Sequence, residues 1–303
     1  MNHRAFSNCL FCDGSATVDA SLPSNIYHDT AFVYLKCNNC ALIFIDPRPS
    51  DQILSKMYAS SYQDVLELSP SDIRQPMPGL RFSYEMQFQL IRKHMAHGRL
   101  VDYGCGNGHF VYNAGLHGLF FEGVEFDAQV LDTLRNLMPE RHFHQVNEFL
   151  QDTAGCKGIR MSNVLEHFTD PAKQMAHLIS KLEIGGVILI EGPLENNFSL
   201  VNWCKWNYQR FRKRLSGAYV TSDPPYHVFF SNHRNQVGFF NSMGLEQLEY
   251  ITREDAWPYT SRISEVKSIG SLFKYVLAKL SKFICLLVPG SGNTFLYVGR
   301  KIR

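Results

Sequence analysis

The sequence predicts an α/β fold in which a mainly parallel seven-stranded sheet is flanked by helices and preceded by a small cysteine-rich unit. Three observations carry this. Short apolar runs alternate with helix-periodic stretches from about residue 99 onward. The first of those runs ends in three alternating glycines, and four of the eight cysteines stand in two C-x2-C pairs near the start. With 303 residues the chain can bury a full core, as one large domain or one large plus one small. A hydrophobic fraction of 45% with 19% charged residues and no internal repeat argues against long disorder. The net charge of +2 does not call for nucleic acid or an anionic membrane, so any such partner has to be argued from a local patch. The start lacks the apolar run of a secretory signal and no stretch is long and apolar enough to span a bilayer, so a soluble, cytoplasmic protein is expected.

The first unit is expected over residues 1–48. Cys9-Leu10-Phe11-Cys12 and Cys37-Asn38-Asn39-Cys40 are separated by 24 residues that include the strand-like run from Ala31 to Leu35. A C-x2-C turn aims two sulfurs at one point, and four thiolates suit tetrahedral zinc at about 2.3 Å. Cys9, Cys12, Cys37 and Cys40 are therefore the expected metal ligands, with iron or a metal-free remnant as the alternatives. Cys105, Cys156, Cys204 and Cys285 stand singly, a distribution that fits a reducing compartment.

The second unit is expected over residues 49–303. Asp46-Pro47-Arg48-Pro49-Ser50 breaks the chain, and Asp51 opens a helix that runs to Tyr58 and Tyr62. Residues 69–79, with three prolines, read as a loop. Phe82, Met86, Leu90, Ile91 and Met95 recur at helical spacing over 80–97, with Gly98 as the stop, so a helical lead-in covers 51–98. Strands are predicted near 99–103, 120–125, 141–145, 158–163, 186–191, 245–251 and 294–300. The last two read as an antiparallel addition at the sheet edge, interrupted by a helical insertion at about 260–288. Within it, Lys274, Lys279, Ser281 and Lys282 fall in one sector of an otherwise apolar helix. That helix is expected to pack on its own domain or on a partner, with weak membrane-surface association as the alternative.

The chemistry begins at Leu100-Val101-Asp102-Tyr103-Gly104-Cys105-Gly106-Asn107-Gly108-His109-Phe110, a strand running into a glycine turn and then a helix. Such a turn lets backbone approach a ligand closely at a helix N-terminus. Dinucleotide enzymes use a related G-x-G-x-x-G, but His109 stands where its third glycine would fall. Asp102 favours a ligand with a positively charged end. Glu125 follows Gly108 by seventeen residues and ends the next strand, where a carboxylate can accept both hydroxyls of a ribose; Asp127 suits the cap of the helix after it. Ser162-Asn163-Val164-Leu165-Glu166-His167-Phe168-Thr169-Asp170-Pro171 places a polar cluster at the carboxyl end of the fourth strand.

In that order these three motifs resemble class I S-adenosylmethionine-dependent methyltransferases, over roughly residues 99–200. Within that superfamily the chain resembles the branch with an N-terminal zinc ribbon found among bacterial methyltransferases of sugar and polysaccharide biosynthesis. The resemblance implies a Rossmann-like seven-stranded methyltransferase sheet behind a small zinc ribbon, with S-adenosylmethionine and zinc as the bound groups. It implies that Asp102 neighbours the amino group of the donor, that Gly104, Gly106 and Gly108 border it, and that Glu125 holds its ribose. It places Asn147 near adenine and Asn163 and Leu165 beside the sulfonium. His167 belongs to the matched motif, either near the chemistry or as a residue that fixes the loop.

Methyl transfer asks the protein mainly to orient two partners, and a general base is needed for a hydroxyl acceptor. His227 and Tyr226, in Asp223-Pro224-Pro225-Tyr226-His227, are the candidates for that work, against a purely structural role. Between Glu195 and Asp223 there is no acidic residue, while Lys205, Arg210, Arg212, Lys213 and Arg214 alternate with Trp203, Trp206, Tyr208 and Phe211. This stretch reads as a solvated helix face or as a grip for a phosphate-bearing acceptor. The expected acceptor is a small molecule, sugar-containing or phosphate-bearing, such as a sugar nucleotide or glycan. O- or N-methylation is favoured because the sequence ends with the last sheet strand. An RNA methyltransferase and a non-catalytic donor-binding assembly protein are the rival readings.

Overall fold

The computed structural model describes residues 7–27, 29–50, 52–54, 56, 84–95, 98–216, 220–221, 225–255 and 263–303. Most of the helix expected from Asp51, the loop at 69–79, and residues 80–83 and 96–97 of the lead-in helix lie outside these. So do 256–262 of the expected insertion.

The chain opens with four short strands, β1 (Ala16–Val18), β2 (Ser24–Tyr27), β3 (Thr30–Cys37) and β4 (Ile43–Asp46). The run read as strand from Ala31 to Leu35 is the middle of β3. Helix α1 (Glu85–His94) follows and ends before Gly98, because Met95 already has extended backbone. The large sheet then builds through β5 (Leu100–Tyr103), α2 (His109–Leu116), β6 (Phe121–Glu125), α3 (Ala128–Leu137), β7 (Phe143–Gln145), α4 (Val146–Gln151) and β8 (Cys156–Ser162). After a short 3-10 turn at Leu165–His167 come α5 (Pro171–Lys181) and β9 (Leu182–Pro193). Helix α6 (Leu200–Ser216), strands β10 (Val220–Thr221) and β11 (Phe229–Phe230), helix α7 (His233–Ser242) and strand β12 (Leu245–Arg253) precede the inserted helix α8 (Ile269–Leu287) and the last strand, β13 (Thr294–Lys301).

All seven expected strands are present, in the order β12-β13-β9-β8-β5-β6-β7. The five strands from β9 to β7 are mutually parallel, and β13 and β12 add to them antiparallel, as expected. Every residue of β5 is buried, as a central parallel strand covered on both faces requires. One face packs against Phe88 and Ile91 of α1 and against Phe110, Val130 and Leu134 of α2 and α3. The other packs against Met175 and Leu178 of α5 and Phe239 and Phe240 of α7. The caps follow the sequence: Asp127 accepts the amides of Gln129 and Val130 at the start of α3, and Asp170 with Pro171 opens α5.

The small sheet reaches beyond residue 48. Its order is β10-β2-β3-β4-β11 with β1 on β3, and Phe229 and Phe230 of β11 pair antiparallel with Phe44 and Ile43. Phe11 stacks on Phe239 at 4.2 Å and meets Phe229 edge-on at 4.9 Å, so a single apolar cluster runs from Cys9 to Phe295.

Helix α8 is amphipathic, but it buries only Leu277, Ala278 and Ser281. Phe273, Leu280, Phe283 and Leu286 stay exposed because its described packing is mainly against α6. No helix among the described residues is long and apolar enough to cross a membrane.

Glu254 joins this helix pair to the sheet. The hydroxyl of Ser199, just ahead of α6, donates to its carboxylate at 2.9 Å, and the Ser281 hydroxyl of α8 also lowers its pKa. Burial pushes the Glu254 carboxyl up to about 7 against the pull of the two serines. Its folded-state pKa lies above the unfolded value, so its contribution to stability is full below about pH 4.5 and is lost as pH rises through about 7. Relative to Glu254→Gln, the native protein is expected to lose on the order of 2–3 kcal/mol of unfolding free energy across that window. Urea denaturation of both proteins at several pH values checks this, and parallel stability curves would contradict it.

Candidate functional site

The glycine turn sits at the carboxyl ends of the parallel strands, where open α/β sheets bind ligands. Gly104, Gly106 and Gly108 all have left-handed backbone, at φ +74°, +53° and +70°. A side chain on Gly104 would come within 2.4 Å of Val164, and one on Gly108 within 2.6 Å of Met138, so these two are fixed by internal packing. A side chain on Gly106 would meet nothing within 4 Å. The middle glycine therefore borders open space, as a surface for a close-lying ligand must.

Glu125 ends β6 beside that space and is nearly buried. Its carboxylate accepts the amide of Gly106 at 2.8 Å and that of Phe126 at 2.7 Å. These charge-assisted bonds fix the carboxylate next to the turn.

Asp102 is fully buried and is not part of the cavity wall. Arg160 of β8 donates to its carboxylate at 2.6 Å and itself faces the cavity. Burial raises the Asp102 carboxyl, and Arg160 opposes that rise. Arg160 also donates to Gln87 at 2.7 Å, and its guanidinium lies 3.8 Å from the centre of the Phe110 ring. Gln87 in turn donates to Glu191, which pairs with Arg253 and accepts from Ser162 at 3.2 Å. Tyr84, Gln87, Arg160, Ser162, Asn163 and Glu191 line a cavity beside Gly104.

Sequence reasoning did not single out Arg160, Gln87 or Glu191. The signal was present: Arg160 interrupts Gly158-Ile159-Arg160-Met161, and Glu191 ends Ile188-Leu189-Ile190. A charge inside an apolar strand run of a parallel sheet needs a reason.

Asn163 holds left-handed backbone at φ +53°, and its amide donates to the Glu191 carbonyl at 2.9 Å. Asparagine tolerates that conformation better than most residues. Leu165 is buried in the core and has only its backbone to offer a ligand. Asn147 is exposed on α4. Its neighbour Glu148 closes a capping box by accepting the Gln145 amide at 2.7 Å.

A second constellation forms where the 3-10 turn meets the segment before β11. The His167 ring donates from Nδ1 to the Tyr226 carbonyl at 2.7 Å. His227 holds the Glu195 carboxylate through Nδ1 at 2.5 Å, and Lys205 holds the other oxygen of Glu195 at 2.7 Å. The two imidazoles meet edge to face with centroids 5.1 Å apart. Burial lowers the pKa of His167. Burial also acts to lower that of His227, but Glu195 outweighs it and the net shift is upward. Burial opposes ionisation of Glu195, yet His227 and Lys205 bring its carboxyl down to about 2. Tyr226 enters this cluster through its carbonyl. Sequence reasoning named His167, Tyr226 and His227 but missed Glu195 as their anchor.

The four paired cysteines converge as expected. Cys9 and Cys40 sulfurs lie 3.5 Å apart and those of Cys12 and Cys37 3.6 Å apart. A tetrahedral ion at about 2.3 Å from each sulfur sets these separations near 3.8 Å. The amides of Asn39 and Cys40 point at the Cys37 sulfur, as backbone amides do around metal-bound sulfurs.

Three of the five cations of α6 serve the protein itself. Lys205 holds Glu195, Arg210 donates to the Ser21 hydroxyl at 3.3 Å, and Lys213 donates to the Leu22 carbonyl. Arg212 lies 5.9 Å from the Tyr208 ring, and Arg214 is exposed.

The family described as methyltransferase domain matches residues 64–223, more than half of the chain. No curated protein is significantly similar in sequence. Among solved structures, the chain is similar to magnesium protoporphyrin IX methyltransferase from Synechocystis with bound SAH, at 9% identity and a TM-score of 0.50 over 83% of this chain and 100% of that one. It is also similar to a Haloferax volcanii complex of the Trm112 methyltransferase activator with a methyltransferase, at 12% identity and a TM-score of 0.50 over 84% and 100%. At these identities the likeness is one of fold.

The glycine geometry separates packing from binding. Gly104→Ala is expected to destabilise the fold through Val164. Gly106→Ala should cost only about 1–2 kcal/mol of backbone strain and weaken S-adenosylhomocysteine binding at least about tenfold, about 1.4 kcal/mol. Glu125→Ala should weaken it by about 1.5–3 kcal/mol. Calorimetry measures each, and undiminished affinity in Gly106→Ala would place the ligand elsewhere.

Proposed function

Because the chain belongs to the methyltransferase domain family, we propose that this S-adenosylmethionine-dependent methyltransferase modifies a small, sugar-containing acceptor at oxygen or nitrogen. The donor supplies a methyl group on a sulfonium, so the chain's own task is to align that carbon with the acceptor and to dispose of the acceptor's proton. Glu125 and the open face of Gly106 would hold the adenosyl ribose. Arg160 and Glu191, of opposite charge on the wall of one cavity, match the carboxylate and ammonium of the amino-acid end. Asp102 supports this from behind Arg160.

The observation that carries the acceptor side is the pair His167 and His227, both held by Nδ1 and packed ring to ring just past Asn163. An acceptor lying against them would give up its proton at this wall, to an imidazole or to solvent. The sugar-containing reading takes precedence over the phosphate-bearing one because Lys205, Arg210 and Lys213 of that stretch already have partners within the protein.

Turnover of S-adenosylmethionine with a panel of free and nucleotide-linked sugars tests this. His227→Ala is expected to lower kcat by about 10²–10⁴ while donor affinity holds. Unchanged kcat would make His227 a structural residue.

We also assign zinc to the four cysteines, since four sulfurs at tetrahedral spacing suit it. One zinc per chain is expected by elemental analysis. Cys37→Ser should release it and, through β4 and β11, reduce acceptor turnover more than donor affinity. Donor affinity falling in step with turnover would contradict that coupling.

A further inference from the structure

We propose that Glu166, His167 and His227 form a second metal site, separate from the cysteines, that holds a first-row divalent cation on the acceptor side of the cleft. Each residue offers one ligand atom, and these atoms all lie within 4.8 Å of one another. An ion at about 2.0–2.2 Å from each ligand keeps any two of them within about 4.4 Å. Small side-chain rotations close the difference.

The surroundings of the two histidines are those of metal ligands. A metal-bound imidazole generally donates its other ring N–H to a carboxylate or a carbonyl, which fixes the ring and raises its basicity. His227 does so to Glu195 at 2.5 Å, and His167 to the Tyr226 carbonyl at 2.7 Å. Both use Nδ1, so Nε2 is the nitrogen a cation would take. Lys205 anchors Glu195 from its far side, which makes the carboxylate a fixed support.

Glu166 supplies the carboxylate ligand. It is 4% exposed, and the His167 Nε2 lies 3.9 Å from its carboxylate. A carboxylate so nearly enclosed gains from a compensating charge. Gly192 makes room for it, since a side chain there would stand 3.3 Å from Glu166 Oε2.

Two imidazoles and one carboxylate suit manganese, iron, cobalt or zinc better than magnesium or calcium, and three ligands from one side leave coordination positions open. The histidine side chains keep 21% and 30% of their surface exposed, so the site is reachable from solvent. What the cation would do rests on the methyl-transfer reading. An acceptor hydroxyl bound to it would ionise more readily, with its proton passing to solvent, which points to oxygen rather than nitrogen as the methylated atom.

The site is tested by titrating Co2+ into the full chain with zinc already on the cysteines and neither donor nor acceptor present. Calorimetry and visible absorption are expected to show one Co2+ per chain, with weak ligand-field bands and no intense thiolate-to-cobalt charge transfer. Glu166→Gln and His227→Gln should each weaken binding at least about tenfold, and Glu195→Gln by about 10- to 100-fold through its support of His227. S-adenosylhomocysteine affinity serves as the control that each variant is folded. A native protein that takes up no Co2+ at about 1 mM, that binds it only with thiolate bands, or that matches Glu166→Gln in affinity would overturn the proposal. Co2+ binding without any S-adenosylhomocysteine binding would instead defeat the donor assignment and leave the cation site standing.

Discussion

A carboxylate with no access to water sits near the tip of the first large-sheet strand, and the cavity beside Gly104 is organised around its neutralisation. Asp102 would be costly to bury alone, and breaking a buried ion pair commonly costs about 3–5 kcal/mol. Arg160 answers it across one strand spacing. The remaining donors of Arg160 then need acceptors, which draws in Gln87 from α1, and through Gln87 the Glu191 and Arg253 side chains of β9 and β12. One constraint thus ties the lead-in helix to four strands and sets two opposite charges on the cavity wall.

The N-terminal unit meets the large domain at the 3-10 turn. Val228 donates its amide to the Glu166 carbonyl at 2.8 Å and accepts from the Ile45 amide at 3.0 Å. A single residue therefore bridges the small sheet to the 3-10 turn, and its neighbour is His227. The cysteine knuckles shape the loops that seat Phe11 on Phe229 and Phe239, so the order of the small sheet carries through to the position of both histidines. The unit is thereby a support for the two histidines.

Much of this was legible in the sequence because the relevant signals are local. A glycine turn after an apolar strand, a carboxylate at a strand tip and paired cysteines each declare themselves within a dozen residues, and the seven strands followed from alternation alone. What stayed hidden depends on long-range pairing. Glu195 and His227 are separated by 32 positions and Gln87 and Glu191 by 104, and no periodicity links them. The attachment of β11 to β4 was invisible for the same reason, since a two-residue strand leaves no pattern. The exposed face of α8 shows the converse: its amphipathic period was readable, but how much of that face its neighbours would cover was not.

In the function proposed for the chain, Gly106, Glu125 and Arg160 would hold the donor, and His167 and His227 would face the acceptor. A crystal structure of the full chain with S-adenosylhomocysteine tests this most directly. The expected result has the ribose hydroxyls on Glu125, the amino-acid end against Arg160 and Glu191, and the thioether sulfur turned toward the two imidazoles. A ligand whose ribose lies away from Glu125, or whose sulfur faces away from His167 and His227, would contradict it.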